Sequence, residues 1–376
     1  MAKELSGAGL RGQVAGKTAL STVGQSGSGL TYRGYDVKDL ANHCQFEEVA
    51  HLILKGKLPD SGELAAYKAK LKSQRGLPQA LKEVLERIPK DAHPMDVLRT
   101  GCSVLGNLEM EQDFSEQDAV TDRMLACFPS IICYWYRFSH DGVRIDTELD
   151  DDSIGAHFLH MLHGEKPREL HEQVMHVSLI LYAEHEFNAS TFTARVCAST
   201  LSDMHSCITG AIGSLRGPLH GGANEGVMVM LNEIGDMSKV DEFMAGKLER
   251  KEKVMGFGHR VYKAYDPRAT YLKTFAEGLA RDTGNLPLYE MSKRIEEIMN
   301  EAVAAKGIFP NVDFYSATTY WSLGLDLDLF TPMFALSRMS GWTGHCIEYL
   351  KSNKLIRPGA AYVGPHEVPY VAMDDR

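Results

Sequence analysis

Four side chains that can transfer protons stand where apolar helical patterns break: His185, His220, His259 and Asp313. Imidazole and carboxylate groups are common general acids and bases in enzymes, and breaks between helices often carry functional residues. Such a set suits the removal or donation of a proton at a carbon next to a carbonyl group. For each residue the alternative is structural, as a satisfied core histidine or a helix cap.

His220 lies in the segment GPLHGG at 217–222, between two apolar helical patterns. Its proline has no amide hydrogen and restricts the residue before it, so the first helix must end there. We expect Gly221 and Gly222 to adopt backbone dihedrals that other residues avoid, and Asn224 to cap the second helix. The kink is either a catalytic loop or a glycine-rich connector with an incidental histidine.

His185 and His259 occupy two further breaks. His185 precedes Asn188 and Ser190, which are typical helix-start residues, so it lies in or just before a junction between helices. His259 follows the segment GFG at 256–258, whose two glycines allow a close approach of the backbone. A cap region with a satisfied histidine is the alternative for His185.

Asp313 stands among Val312, Phe314 and Tyr315, near the start of a predicted helix. Apolar surroundings raise the pKa of a carboxyl group and make its ionised form a stronger base. The alternative is that Asp313 only caps the helix.

Three arginines indicate an anionic substrate. Asp266 can cap a helix with Pro267 at its first position, which places Arg268 in the first turn, where a cation opposes the helix dipole. We therefore expect an anion between Arg268 and the free N–H groups. Arg338 lies in a strongly apolar helical stretch and needs an anionic partner, and Arg357 opens the irregular C-terminal tail. Guanidinium groups bind carboxylates in pairs of hydrogen bonds, so a di- or tricarboxylate fits best.

Other functional motifs are absent or weak. The sequence has neither the Gly-x-Ser-x-Gly turn of many hydrolases nor a nucleotide-binding loop. His157, His160 and His163 share a helix face and could hold a metal ion, which is an alternative reading of the chain. No carboxylate or cysteine has a recognisable ligand spacing to them, so structural histidines are the favoured interpretation.

The elements that position these residues are mainly helical. Apolar positions recur with helical spacing, and runs that alternate as in strands are almost absent. Residues 1–35 instead indicate short extended pieces joined by turns. The predicted helices include one that ends at Gly56, one that starts at Asp60 or Ser61, and these further segments: 81–88, 97–108, 117–138, 154–162, 172–183, 204–215 and 225–234.

Composition is that of a large soluble protein. With 376 residues, 44% hydrophobic and 24% charged, the chain can bury a sizeable core and form two domains. The net charge of −10 argues against nucleic acid as the main partner, but leaves room for a small anion bound by local arginines. Seven scattered cysteines without a Cys-x-x-Cys motif indicate free thiols in a reducing compartment. With no apolar signal core and no membrane-length run, we expect a cytoplasmic protein without a membrane partner.

From Gly9 to Val371 the chain resembles the citrate synthase family. The resemblance rests on motifs that are highly specific in this order: YRGYD at 32–36, FEEVA at 46–50, GPLHGGANE at 217–225, GFGH at 256–259, DPR at 266–268 and PNVD at 310–313.

Within the family, the runs 182–193 and 163–167 are similar to the branch that condenses propionyl-CoA with oxaloacetate and water. The Gly/Ser alternation at 26–30 gives weaker support. The segment 258–263, however, looks more like bacterial enzymes that use acetyl-CoA. The resemblance thus implies propionyl-CoA as the preferred substrate with some activity on acetyl-CoA; the alternative is a preference for acetyl-CoA.

The resemblance also implies roles for the site residues. Asp313 would remove the proton next to the thioester, His220 would stabilise the enol, and His259 would act on the oxaloacetate carbonyl oxygen. His185, Arg268, Arg338 and Arg357 would hold oxaloacetate, Arg357 from the other subunit of a homodimer. Arg260, Lys263 and Lys306 are weaker candidates for binding the phosphates of CoA. No metal or prosthetic group is implied.

The family fold implied by the resemblance is all-α. It has a large domain, here 1–220 and 318–376, and an inserted small domain at 221–317. The small domain would carry the acyl-CoA side and close over oxaloacetate, which would expel water from the site.

Overall fold

A computed structural model describes residues 8–10, 12–24, 29–259, 261–262 and 265–376 of the chain. These residues form a mainly helical fold, which confirms the predicted class. The α-helices are α1 (Val37–His43), α2 (Phe46–Lys55), α3 (Ser61–Lys72), α4 (Gln79–Leu85), α5 (Pro94–Leu108), α6 (Gln117–Asp141), α7 (Ile154–His163), α8 (Glu169–Tyr182), α9 (Ala189–Ser199), α10 (Met204–Leu215), α11 (Ala223–Ile234), α12 (Val240–Glu249), α13 (Pro267–Asp282), α14 (Leu286–Val303), α15 (Val312–Ser322) and α16 (Phe330–Leu350).

Local signals set several helix ends as predicted. α2 ends at Gly56, which adopts the left-handed conformation with φ of 85°. α3 begins after Asp60, whose side chain accepts from the amide of Glu63 in a reciprocal capping box. α9 begins after Asn188, which accepts from the amide of Thr191.

The described part of the N-terminal region forms a small antiparallel sheet, in line with the predicted extended pieces. Its strands are β1 (Ser21–Val23), β2 (Leu30–Tyr32) and β3 (Tyr35–Asp36), in that order across the sheet. Ser21 pairs with Tyr32 between β1 and β2. β2 is fully buried, and the Tyr32 hydroxyl donates to the carbonyl of Ile180 near the end of α8. The sheet is therefore held against α8, the helix that precedes the loop containing His185.

The loop that carries His220 departs from its predicted geometry. Asn224 lies inside α11 and does not cap it; the capping position is Gly222, whose φ is −83°. Neither Gly221 nor Gly222 is among the described glycines with positive φ. Gly221 is required for a different reason, since a Cβ there would collide with the carbonyl oxygen of Leu215. The glycines thus serve close packing and not unusual dihedrals.

The core helix of the fold is α16, which is buried on all sides from Phe330 to Cys346. α15 contacts α8 through Ser178 and Tyr320, whose hydroxyl oxygens lie 2.6 Å apart. None of the described helices is both long and apolar enough to cross a membrane. The division into domains 1–220 with 318–376 and 221–317 stays a prediction.

Candidate active site

Asp313 and His220 lie on two sides of one aromatic pair, Tyr182 and Phe334. The Tyr182 hydroxyl, at the end of α8, donates to Asp313 Oδ1 at 2.7 Å. The Tyr182 and Phe334 rings meet edge to face with centroids 4.8 Å apart, and the His220 ring meets Phe334 at 6.1 Å. The structure therefore brings together two residues that stand in separate breaks of the sequence.

Asp313 occupies the first turn of α15 but does not cap it. The cap is Asn311, whose side chain accepts the amide of Asp313 at 3.0 Å. The capping alternative for Asp313 is therefore wrong, and its carboxylate is left to other contacts. Burial raises the pKa of Asp313, while the hydrogen bond from Tyr182 opposes the rise.

The ring of His220 is held through its Nε2. Its Nε2 accepts the backbone N–H of Ser190 at 3.2 Å and lies 2.8 Å from the Ser190 hydroxyl, which in turn accepts from Trp342 Nε1 at 3.0 Å. Because a backbone N–H can only donate, Nε2 carries no proton and the neutral ring has its proton on Nδ1. Burial, with help from the nearby charge of Arg338, lowers the pKa of His220 to about 4. His220 is thus a neutral hydrogen-bond donor at neutral pH.

His259 is fixed through its other nitrogen. Nδ1 accepts the backbone N–H groups of Val261 at 3.1 Å and Tyr262 at 3.2 Å, so the neutral ring carries its proton on Nε2. The His259 ring lies 4.6 Å from that of Tyr262 and 5.1 Å from that of His185. His220 and His259 therefore carry their protons on different ring nitrogens, Nδ1 in His220 and Nε2 in His259.

The glycines before His259 fasten its loop to the start of α15. Gly256 and Gly258 both have positive φ, 78° and 85°. A Cβ at Gly256 would meet Phe314 at 2.8 Å, so the close approach predicted here is confirmed. The Asn311 amide donates to the Gly256 carbonyl and the Gly258 amide to that of Phe309, each at 2.8 Å. The loop that carries His259 is thereby fastened to the residues just before Asp313.

His185 is buried beside the same loop. Its Nε2 lies 3.2 Å from the Tyr262 hydroxyl oxygen. Burial and then the positive charge of Arg268 lower its pKa well below the ordinary value. His185 is therefore neutral and able to donate one hydrogen bond.

The anion expected beside Arg268 proves to be a residue of the chain. Asp266 caps α13, accepts the amide of Arg268 at 3.0 Å, and binds its guanidinium through two hydrogen bonds of 3.0 and 2.8 Å. Asp266 also accepts the amide of Val312, which joins the starts of α13 and α15. Burial alone would lower the pKa of Arg268, but the Asp266 carboxylate holds it above the ordinary value.

Arg338 is buried without such a clamp. It is 1% exposed, its Nε donates to the Tyr182 carbonyl at 2.7 Å, and its guanidinium lies 4.7 Å from the centre of the Phe334 ring. Within the described part of the chain it forms no ion pair. Burial lowers its pKa to about 10, against the opposing effect of Glu184. The remaining guanidinium N–H groups can receive an external carboxylate.

Other predicted ligands lie apart from this cluster. Arg357 is exposed in the tail, next to Ile356, whose amide donates to the Ser199 hydroxyl at the end of α9. Ser190 is the second residue of this 11-residue helix, about 14 Å from Ser199 along its axis. The isolated chain therefore does not bring Arg357 to the cluster. Lys306 is exposed in a short turn, and Arg260 and Lys263 lie outside the described residues.

Two of the three histidines of α7 approach one carboxylate oxygen, Asp151 Oδ2, with His157 Nδ1 at 3.7 Å and His160 Nδ1 at 2.9 Å, and the third turns elsewhere. The His160 ring lies 2.9 Å from an Asp151 carboxylate oxygen, whereas His163 Nε2 lies 2.9 Å from the Leu323 carbonyl oxygen. Over the described residues there is no group of three or more His, Cys, Asp or Glu side chains that could hold a metal ion. The structure thus provides no support for the metal-site alternative.

Sequence reasoning missed the residues that hold the reactive groups. In the sequence, Tyr182 is only the last residue of an apolar helical pattern. Phe334 and Trp342 lie in an apolar stretch and carry no signal beyond that of ordinary core residues. Ser190 carries only a helix-start signal. The one available hint was Asp266, recognised as a cap but not as the clamp on Arg268.

The arrangement suits proton removal next to a carbonyl. A carboxylate with a raised pKa and a neutral imidazole donor face each other across apolar rings, with cationic groups beside them. The base can take a proton from carbon while the donor stabilises the oxygen that gains charge. The cations favour a second, anionic reactant.

Comparisons with known proteins identify relatives over nearly the whole chain. The family model described as "Citrate synthase, C-terminal domain" matches residues 9–359. The chain is 66% identical to a 2-methylcitrate synthase of Shewanella oneidensis, over 96% of each chain. It is 45% identical to citrate synthase 2 of Bacillus subtilis, over 98% of each.

Solved structures show the same fold. A ternary complex of citrate synthase from Thermoplasma acidophilum with carboxymethyl coenzyme A and oxaloacetate is 34% identical, covers 98% of both chains and has a TM-score of 0.92. Citrate synthase from Thermotoga maritima is 40% identical over the same shares, with a TM-score of 0.86.

Proposed function

The chain belongs to the citrate synthase family, and from that premise we propose that it condenses propionyl-CoA with oxaloacetate and water to give 2-methylcitrate and CoA. The 66% identity to a 2-methylcitrate synthase supports the choice of reaction. The observation that carries the proposal is the placement of Asp313 and His220 around Tyr182 and Phe334. We assign the following steps to these residues.

Formation of the enol is the first step. The Asp313 carboxylate removes a proton from the carbon next to the thioester, and the electron pair moves to the thioester oxygen. His220 donates a hydrogen bond from Nδ1 to that oxygen. Both are needed, because a thioester α-proton is weakly acidic and the enol forms only if its oxygen is stabilised as the proton leaves.

Formation of the carbon–carbon bond is the second step. The enol carbon attacks the ketone carbon of oxaloacetate, and the ketone oxygen becomes an alkoxide. His259 donates the proton on its Nε2 to this oxygen. His185, Arg268 and Arg338 hold the oxaloacetate carboxylates, Arg338 being the guanidinium that has no acidic partner within the described chain.

Hydrolysis is the last step. Water adds to the thioester carbonyl, the carbon–sulfur bond breaks, and CoA leaves as a thiol after taking up a proton. The first two steps need a dry site, which closure of the proposed small domain, 221–317, would provide. Lys306, Arg260 and Lys263 are the proposed contacts of the CoA phosphates.

We also propose that the working unit is a homodimer. Large apolar side chains of the tail are exposed on the isolated chain: Leu355, Tyr362, Val363, Val368, Tyr370, Val371 and Met373. A tail of this composition is suited to packing on a second copy, where Arg357 could enter the partner's site. Light scattering of the full chain and of a chain ending at residue 354 tests this: dimers of undiminished stability in the shortened chain would contradict the role of the tail.

A preference for acetyl-CoA is the second candidate, favoured by the 45% identity to citrate synthase 2 of Bacillus subtilis. The two acyl groups differ by one methylene, which an apolar pocket discriminates by only about 1–3 kcal/mol, so both should react. Measuring kcat/KM for propionyl-CoA and acetyl-CoA on one enzyme preparation decides between them. A strong preference for acetyl-CoA would overturn our choice of substrate but not the reaction class.

We propose that the enzyme acts in the cytoplasm, in the breakdown of propionate.

A further inference from the structure

The small N-terminal sheet holds the loop of His185 through its strand β1. The Ser21 hydroxyl donates to Glu184 Oε1 at 2.9 Å and accepts the Glu186 amide at 3.1 Å. The Val23 amide donates to Glu186 Oε1 at 3.1 Å. Glu186 has a φ of 50°, a conformation that residues other than glycine rarely adopt, so its backbone needs such support. β1 therefore fixes the residues on both sides of His185.

The other end of the same sheet lies against the start of α13. Gly24 follows β1, Gly29 precedes β2, and the Gly24 amide donates to the Gly29 carbonyl at 2.9 Å. A Cβ at Gly29 would lie 2.5 Å from Pro267 Cγ, and one at Gly24 would lie 3.0 Å from Val261 Cγ1. Carbon atoms in good contact are about 3.5–4.0 Å apart. The two glycines therefore leave the space that the neighbouring segment occupies.

The segment that meets the two glycines carries residues of the proposed oxaloacetate site. Pro267 is the first residue of α13 and stands between Asp266 and Arg268, whose side chains are joined by two hydrogen bonds. The Val261 amide donates to His259 Nδ1 at 3.1 Å. A proline ring is bonded to its own backbone nitrogen, so it cannot rotate away from a new neighbour. Pressure on Pro267 would therefore move the start of α13.

We propose that Gly24 and Gly29 are positioning residues for oxaloacetate binding. Because one small sheet holds the loop of His185 and also supports the start of α13, it sets the distance between His185 and Arg268. Both side chains bind the same small anion, so their spacing must match its carboxylates. The two glycines act through Pro267 and not by contact with the substrate. The proposal rests on the proposed function in taking oxaloacetate as the anion.

Gly29→Ala is the direct test. Gly29 is not among the described glycines with positive φ, so alanine fits its backbone, and the obstacle is the Pro267 ring. Displacement of Arg268 together with Pro267 should raise the Kd of G29A for oxaloacetate about tenfold. Calorimetry without any acyl-CoA measures this. A Kd of G29A within about twofold of the wild type, a difference too small for a displaced ligand, would overturn the proposal.

Pro267→Ala should rescue G29A, because it removes Cγ and Cδ of the ring. Only Cβ of residue 267 then remains near the new methyl group, at 3.2 Å, which a small shift relieves. Proline is favoured at the first position of a helix but is not required there, so P267A alone should bind oxaloacetate nearly as the wild type does. The Kd of G29A/P267A should lie within about threefold of that of P267A. A further tenfold rise in the double variant would contradict the proposal.

Two glycine-to-alanine controls separate positioning from other effects. G278A adds a methyl group to α13 itself, where a Cβ meets nothing within 4 Å, so its Kd should match the wild type. G101A would place a Cβ 2.6 Å from Ile131 Cγ2 in the core between α5 and α6, so it should lower stability without changing the Kd. A rise of the Kd in G101A equal to that in G29A would assign the effect to general destabilisation and overturn the proposal.

The contact can also be tested without any ligand, and in this form a poorly folding G29A is informative. Denaturant unfolding of the wild type, G29A, P267A and the double variant forms a cycle. The stability lost through G29A should be much smaller in the P267A background. Equal losses in both backgrounds would show that Gly29 and Pro267 are not coupled, and would overturn the proposal. Failure of the wild type to bind oxaloacetate would instead contradict the proposed function.

Discussion

The two halves of the site treat charge differently. On the acyl side, burial disfavours charge: it raises the pKa of Asp313 and lowers that of His220. On the oxaloacetate side His185 is also kept neutral by burial, but Arg268 keeps its charge because the Asp266 carboxylate pairs with it. Burial thus disfavours charge on the histidines and on Asp313, whereas the buried Arg268 is given a counter-charge.

Replacing Asp313 by Asn should separate the two halves most strongly. We expect kcat to fall about a thousandfold, since the base is lost, while the Kd for oxaloacetate changes less than about threefold. Steady-state kinetics and calorimetry measure the two quantities. D328N, at an exposed aspartate close to α16, is the matched control and should leave both unchanged. A comparable loss of oxaloacetate binding in D313N would mean that the halves are not independent.

Replacing Arg338 by Gln should mainly weaken oxaloacetate binding, whereas replacing Arg268 by Gln should mainly lower the free energy of unfolding. In R338Q the Kd for oxaloacetate should rise about a hundredfold, with a smaller loss of stability than in R268Q, because no ion pair among the described residues is broken. In R268Q a buried Asp266 is left unpaired, so the free energy of unfolding should fall by about 3–5 kcal/mol. Chemical denaturation of both variants decides this, and an R338Q that is as unstable as R268Q would refute the contrast.

The neutral state of His220 predicts how stability depends on pH. Its pKa is about 4 in the folded chain against 6.5 for an ordinary histidine, so between these values the unfolded chain binds more protons. Stability should therefore fall as the pH drops, with His220 contributing a loss of about 2 kcal/mol by pH 5. Denaturant unfolding at pH 7 and pH 5 should show a smaller loss in H220Q. An equal loss would show that His220 is not held neutral.

Tyr182→Phe should produce the smallest effect. The Tyr182 hydroxyl lowers the pKa of Asp313, so its removal should raise that pKa further. The acid limb of kcat/KM should move to higher pH by about one unit or less, with at most a tenfold loss at pH 8. Y320F, which alters a neighbouring buried tyrosine bonded to Ser178, is the control. A shift toward lower pH would contradict the assigned hydrogen bond.

The sequence predicted the reactive groups better than their supports. Asp313 and His220 could be found because residue type and a broken helical pattern are local signals. Tyr182 could not, because its hydroxyl meets Asp313 from 131 residues away in the chain. The fold class followed from helical periodicity, but the role of Gly221 did not, since close packing against Leu215 is a three-dimensional constraint. Local patterns thus indicate the chemistry, whereas the nitrogen that His220 presents depends on Ser190, 30 residues away in the chain.

Gly341 sets a limit on attempts to make this protein more heat-resistant. A glycine in the middle of a helix costs about 0.5–1 kcal/mol relative to alanine, so it is an obvious target for stabilising replacement. Here the missing methyl group is the space between Ala183, Glu184 and Arg338. A methyl group there would collide with the Ala183 carbonyl oxygen and the Glu184 carboxylate, each 2.5 Å away. The gain in helix stability from alanine would therefore be offset by the displacement of Ala183 and Glu184, which lie directly before His185.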